Sequence, residues 1–99
     1  MPRTLSFAVV SVLNALATGA AYGFEVIDAT GLPSGTVYPV LSRLEHDGLV
    51  RSTWEEETGA HARGRPARRY YKVTAAGERA LREATAQYQA LVPAFGKKK

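Results

Sequence analysis

The 99-residue sequence predicts a mainly α (α+β) fold: three short helices, a two-stranded β-wing and a longer C-terminal helix, ordered as a winged helix-turn-helix. Three observations carry that prediction. Apolar residues recur at helical spacing in four separate segments. The stretch Thr30-Gly31-Leu32-Pro33-Ser34 breaks two of those segments with a tight turn. Two segments rich in β-formers, residues 50–57 and 68–73, then flank a stretch containing Gly59, Gly64 and Pro66.

The first helix is expected over residues 4–17, where Leu5, Ala8, Val9, Val12, Leu13 and Leu16 share one face and Gly19 stops the chain. Phe7, Val10 and Ala17 add a second apolar stripe. A helix apolar nearly all round is normally buried on both sides, so this stripe is expected to meet another subunit. Residues 22–29 read as a short second helix with Phe24, Ile27 and Val26 inward, ended by Gly31 in the left-handed conformation. Ser34 is expected to cap the third helix, whose core stripe is Val37, Val40, Leu41 and Leu44. Thr36, Tyr38, Ser42, Arg43 and His46 are left outward, Pro39 removes one early amide bond, and Gly48 closes the helix.

The hairpin follows, with Trp54 expected in the core or beside a ligand groove and a long, flexible, cationic tip. Thr74 is placed to cap a last helix running to about residue 92, before Pro93. Gly77, Leu81, Ala84, Tyr88, Leu91 and Phe95 alternate four and three residues apart along it, the narrow seam by which helices pair. The chain therefore divides into a DNA-binding unit (1–73), a dimerisation helix (74–95) and a disordered basic tail (96–99). A chain of this length buries only about two-thirds of the surface its unfolded form exposes, which favours a dimer. Phe7, Val10, Leu81, Ala84, Tyr88 and Leu91 are the expected interface.

Charge is segregated. Residues 1–62 carry three arginines against seven carboxylates, whereas residues 63–99 carry ten lysines and arginines against two. A basic region set apart in this way is an electrostatic footprint for nucleic acid or an anionic surface. The absence of cysteine excludes a disulfide framework, a thiol nucleophile and cysteine-based metal sites, and fits a reducing cytoplasm. The apolar run near the N-terminus is interrupted by Ser6, Ser11 and Asn14 and is too short to span a bilayer. His46 and His61 lack metal-ligand spacing, and Glu55-Glu56-Glu57 reads as a solvated strand end. No catalytic triad order or phosphate-cradling glycine loop is present, so neither an enzyme nor a cofactor is expected.

The candidate DNA contacts lie on the third helix and the wing. Ser34, Gly35 and Thr36 sit near a helix N-terminus, where hydroxyls, amides and the helix dipole meet phosphates or base edges; Ser42, Tyr38 and Arg43 project beyond them. Ser34 has the alternative role of cap, and Tyr38 that of packing against Pro39. In the wing, Arg63 and Arg65 are placed at the tip, and arginine suits phosphate forks and narrow minor grooves. Arg68 and Arg69 lie on the strand, where each either binds DNA or pairs with Glu55, Glu56 or Glu57 across the hairpin.

These residues also resemble a known family. Tyr22-Gly23-Phe24-Glu25, Ser34-Gly35-Thr36-Val37-Tyr38-Pro39 with Arg43-Leu44-Glu45, Gly48-Leu49-Val50, Gly64-Arg65-Pro66 with Arg69-Tyr70-Tyr71, and Thr74-Ala75-Ala76-Gly77 are similar, in order and spacing, to PadR-like transcriptional regulators. The resemblance covers about residues 5–91. It implies a homodimeric winged helix-turn-helix repressor of neighbouring genes, dimerising through the last helix against the partner's first, often relieved by a small molecule or another signal. The sequence departs from some relatives in its short second helix, its single C-terminal helix and the lack of tryptophan in that helix. The function expected is a sequence-specific regulator, a repressor binding an inverted repeat of double-stranded DNA in the cytoplasm, with no membrane association and an effector unassigned. The alternative is a winged-helix protein-interaction adaptor that does not read DNA.

Overall fold

Helical spacing in the first and third segments becomes a packed pair of helices, and everything else is arranged around them. The protein, a computed structural model describing residues 5–91, runs α1 (Phe7–Ala17), α2 (Gly23–Thr30), α3 (Ser34–His46), β1 (Val50–Trp54), α4 (Glu57–Ala62), β2 (Arg69–Val73) and α5 (Ala75–Leu91). Pro93, Phe95, the 96–99 tail and the side chains of His61 and Leu91 lie outside the described part. The core is one cluster in which Val12, Leu13 and Leu16 of α1 join Val26 of α2, Val37, Leu41 and Leu44 of α3, and Val50 of β1. Each fully buried aliphatic side chain there contributes about 1.5–3 kcal/mol.

Helix ends follow local chemistry. α1 starts later than its apolar pattern, because the Ser6 hydroxyl accepts the Val9 amide at 3.2 Å and fixes the N-terminus. α2 ends at Gly31, whose φ of 73° lets its amide reach the Ile27 carbonyl. Ser34 is the first helical residue of α3 rather than its cap: the extended Pro33 stands before it, and the Pro33 carbonyl receives the Thr36 and Val37 amides. α3 continues through Pro39 for 13 residues. Its core stripe is as expected. That of α2 is not, since the inward face of so short a helix is Gly23, Val26, Ile27 and Thr30, and Phe24 falls off it, 67% exposed.

β1 and β2 pair antiparallel, Val50 opposite Val73 through Trp54 opposite Arg69. The α1–α2 connection adds a short third edge, with the Tyr71 amide on the Ala21 carbonyl and Tyr22 bridging to Tyr70. β1 stops at Trp54, three residues before the predicted end, and a single turn and a half of helix, α4, occupies part of the loop expected to be flexible. Trp54, expected in the core or beside a groove, is 63% exposed because β1 has by then run past the helices, and its ring borders a surface groove rather than the core.

α5 is fixed at its start by one hydroxyl. Thr74 Oγ1 accepts the Gly77 amide at 3.1 Å and donates to the Gly48 carbonyl at 2.8 Å, while the Thr74 amide reaches Leu49. Gly77 is buried there, where any β-carbon would overlap the Leu49 carbonyl and the Val73 side chain. Further along, α5 packs on α1 of its own chain. Ala84 is buried, Leu81 lies against the core, and the Tyr88 hydroxyl donates to the Leu5 carbonyl at 3.2 Å. Among its described side chains, the stripe read as a pairing seam is thus largely satisfied within the chain, whereas Phe7 remains 71% exposed.

Two glycines should respond oppositely to alanine. Gly77→Ala forces backbone apart and should cost about 1–3 kcal/mol. Gly35→Ala, within α3 with open space around it, should stabilise by about 0.5–1 kcal/mol through helix propensity. Urea unfolding of both variants checks the pair.

Candidate nucleic-acid interface

The burial of Val37, Leu41 and Leu44 decides which way α3 faces outward. Directly opposite that stripe, at i, i+4, i+7 and i+11, stand Gly35, Pro39, Ser42 and His46, all exposed. This ridge is low at its N-terminal end, where Gly35 has no side chain and Ser34 is also exposed. Tyr38 flanks it on the side of α2 and the wing; Thr36, half-buried, and Arg43 flank it on the other. Arg43 is paired only loosely, with Asp47 at 3.4 Å and both groups well exposed, an arrangement worth little in water.

Tyr38 packs against α2. Its ring lies against Gly23, in the volume that a β-carbon there would fill, and 43% of the residue stays exposed. Beyond the ring a groove of about 350 Å³ separates α2 and α3 from the inner face of the wing, and Tyr38, Arg65, Arg68, Arg69 and Trp54 border it. Sequence reasoning placed Tyr38, Arg65 and Arg68 among the functional residues, and the fold brings these three together. Arg43, Thr36 and Ser42 lie elsewhere on α3, with Arg43 beside Leu5 and Ser6.

The wing is organised by two carboxylates. Glu55, expected to be solvated, accepts Arg65 through both terminal nitrogens at 2.7 and 3.0 Å, Arg63 at 3.0 Å and the Arg68 amide at 3.2 Å. The forked hydrogen bonds from Arg65 are the main reason that its carboxyl is held down at about 2, with the Arg68 amide helping and partial desolvation opposing. Arg63 and Arg65, read as free tip cations, are therefore ion-paired, because the α4 turn folds them back over the end of β1. Arg68, by contrast, spends only its backbone amide on Glu55, and its guanidinium stacks 4.2 Å from the Tyr22 ring centre.

Arg69 reaches Glu45 on α3 at 3.4 Å, rather than a wing carboxylate among the described side chains, and lies 5.0 Å from the Trp54 ring centre. Glu45 also accepts the Ser52 hydroxyl at 2.6 Å, and that bond, ahead of Arg69, lowers its pKa. This second carboxylate ties α3 to both strands. The sequence signal for it was available: residues 52 and 54 share the inward face of β1 with their partners Tyr71 and Arg69. Among the described residues, no three histidines or carboxylates converge as a metal site, and no helix is long and apolar enough to cross a membrane.

The Glu55 clamp predicts an acid response. Its folded pKa lies below that of the unfolded chain, so its contribution is fully present above about pH 4.5 and fades as pH falls toward 2. Trp54, the only tryptophan, stands next to it. Its fluorescence should report a wing transition over that window in wild type that is absent in Glu55→Gln.

Comparison with known proteins agrees with this geometry. A family model, the transcriptional regulator PadR-like family, matches residues 12–83. A PadR family transcriptional regulator from Eggerthella lenta DSM 2243 is 32% identical, with 89% of this chain and 77% of that one covered and a TM-score of 0.71. A PadR-like transcription factor from Bacteroides fragilis is 30% identical over 89% of this chain and 85% of its own, with a TM-score of 0.73. A PadR family regulator from Clostridium difficile R20291, at 23% identity, shares the fold, covering 91% of this chain and 94% of that one with a TM-score of 0.73. No curated protein gives a significant match. With the family model spanning most of the chain and two solved relatives at 30% identity or above, the chain belongs to the PadR-like family of transcriptional regulators.

Proposed function

We propose that the protein is a sequence-specific DNA-binding regulator, a repressor working in the cytoplasm as a homodimer on an inverted repeat. The observation that carries this reading is the position of α3: its low outer ridge is free, Tyr38 flanks it toward a groove bordered by three wing arginines, and Arg43 flanks it on the far side. A helix laid in a major groove needs small residues at its crest to approach base edges and hydrogen-bonding or cationic groups on both flanks to meet the two phosphate strands. On this reading Gly35 allows the approach and Ser34 and Ser42 present hydroxyls to bases. Thr36, Tyr38 and Arg43 hold the backbone on either side. Arg68 is the wing cation best placed for phosphate, since its guanidinium stacks on the Tyr22 ring and has no carboxylate partner among the described side chains. Arg63 and Arg65 would exchange Glu55 for phosphate.

The dimer is supported by the exposed Phe7, with Val10 one turn on, along α1. Phe7→Asp therefore tests it better than a change at Leu81, whose side chain also belongs to the core of its own chain. Light scattering should show the wild-type dimer and a folded Phe7→Asp monomer. A wild-type monomer at tens of micromolar, roughly where weak dimers still form, would remove the inverted-repeat model.

Binding to the intergenic DNA beside its own gene should weaken steeply with salt. If the dimer neutralises about eight phosphates, log K falls against log salt with a slope near −7. A slope shallower than about −2 would favour the adaptor alternative. Arg68→Ala should weaken operator and scrambled duplex alike, while Ser42→Ala should cost about 1–3 kcal/mol on the operator and little on scrambled DNA. Parallel losses in Ser42→Ala would make Ser42 a backbone contact.

A further inference from the structure

Gly23 has no backbone reason to be glycine. It lies in the first turn of α2 and is absent from the four glycines with positive φ. α2 is eight residues long and has no side-chain cap at its start, so a glycine there weakens a helix with little to spare. What the position does offer is a notch. A β-carbon at residue 23 would overlap the Tyr38 ring at its hydroxyl, Cε1 and Cζ atoms, and Gly23 is itself buried.

We infer that Gly23 is a positioning residue for DNA binding, acting through Tyr38: the notch draws the phenol back against α2 and so sets where its hydroxyl stands beside the ridge of α3. The inference rests on the DNA-binding reading above. The Tyr38 hydroxyl stands at the end of a long side chain on α3 that is 43% exposed, and a tyrosine so placed would sample several positions over the groove if nothing held it. Docked on Gly23, it leaves the groove in front of Arg65 and Arg68 open. With any larger residue at 23 the ring must swing outward into that groove. Because one side of the ring faces solvent, the swing costs the fold little; it changes the surface that a duplex meets. Gly23 is thus a residue whose replacement should damage binding far more than folding, although it touches no DNA.

The test is a double-mutant cycle read by fluorescence anisotropy, with a fluorescein-labelled duplex of random sequence at low salt as the probe. Sequence-independent binding suffices, because the contact assigned to Tyr38 is to the phosphate backbone. Gly23→Ala and Tyr38→Ala should each weaken binding about tenfold, the worth of a hydrogen bond to a charged group, and Tyr38→Phe should match Tyr38→Ala. Gly23→Ala/Tyr38→Ala should be no weaker than Tyr38→Ala, since without the ring the added methyl meets nothing. Thermal unfolding of Gly23→Ala should stay within about 4 °C of wild type, less than 1 kcal/mol in a domain of this size.

Wild-type affinity in Gly23→Ala would overturn the inference, as would losses that multiply in the double variant or a Gly23→Ala protein that is unfolded. Those results leave the DNA reading standing as long as wild type binds the duplex. A wild-type protein that fails on both this duplex and its own intergenic DNA would instead remove the DNA reading.

Discussion

The packing of α3 on α1 is the constraint from which the rest of the molecule follows. Val37, Leu41 and Leu44 are almost wholly buried against Val12, Leu13 and Leu16, and a helix with one face fixed has no freedom to rotate. Its opposite ridge is thereby committed to solvent. The same packing delivers the chain at Gly48, whose positive φ lets β1 leave at a sharp angle. The next contacts, Thr74 on Gly48 and the close seat of Gly77 under Leu49, use that corner to start α5. Loss of one buried leucine from this pair would cost about 2–5 kcal/mol, a large part of the stability available to so small a domain, and would disturb crest, wing and last helix together.

Electrostatics then shape the wing without neutralising it. Glu45 and Glu55 lie at the helix and strand ends that border the basic loop, and between them they orient Arg63, Arg65 and Arg69. Ion pairs of this exposure contribute modestly to stability. Their larger effect is geometric, because an arginine already extended along a carboxylate would have less side-chain freedom left to lose if it exchanged that partner for a phosphate. Such an exchange would be partly compensated in charge, so those arginines would add less to affinity than free ones. Arg68, stacked on the Tyr22 ring, has no carboxylate partner among the described side chains.

How far the sequence alone could lead depends on the range of the interaction involved. The helices were legible because spacing, glycine stops and the turn at 30–34 are local properties, and the core stripe of α3 was read correctly for the same reason. Two runs of β-formers around a stretch holding Gly59, Gly64 and Pro66 made the wing legible in position. Errors came where a side chain had two possible destinations. Phe24 is more hydrophobic than Gly23, yet the glycine faces inward because the face is set by period and by the tyrosine that needs the space. Trp54 carries a large apolar ring but sits where the strand has outrun the helices. Glu55 looked like one of three equivalent acids, and only folding of the tip into α4 selects it to gather the cations. Ser34 lost its capping role to a proline carbonyl one residue earlier.

The same distinction bears on assembly. The spacing along α5 marks an apolar stripe, but spacing cannot say whether its partner belongs to the same chain. Here Leu81 packs against the core, Ala84 is buried and Tyr88 reaches the Leu5 carbonyl, all within one chain, which leaves Phe7 on α1 among the exposed large apolar side chains, with Phe24 and Trp54. Phe7 stands near the start of that helix, well exposed, and a phenylalanine held in water forgoes about 1.5–3 kcal/mol that burial would supply. Joining two such surfaces about a two-fold axis would place α1 at the centre of the assembly. Each α3 is packed directly on an α1, so the separation of the two reading ridges would be set through rigid helix-on-helix contacts. The physical requirement for reading two half-sites, a fixed spacing between recognition helices, is therefore met most directly if the helix that forms the core also forms the interface.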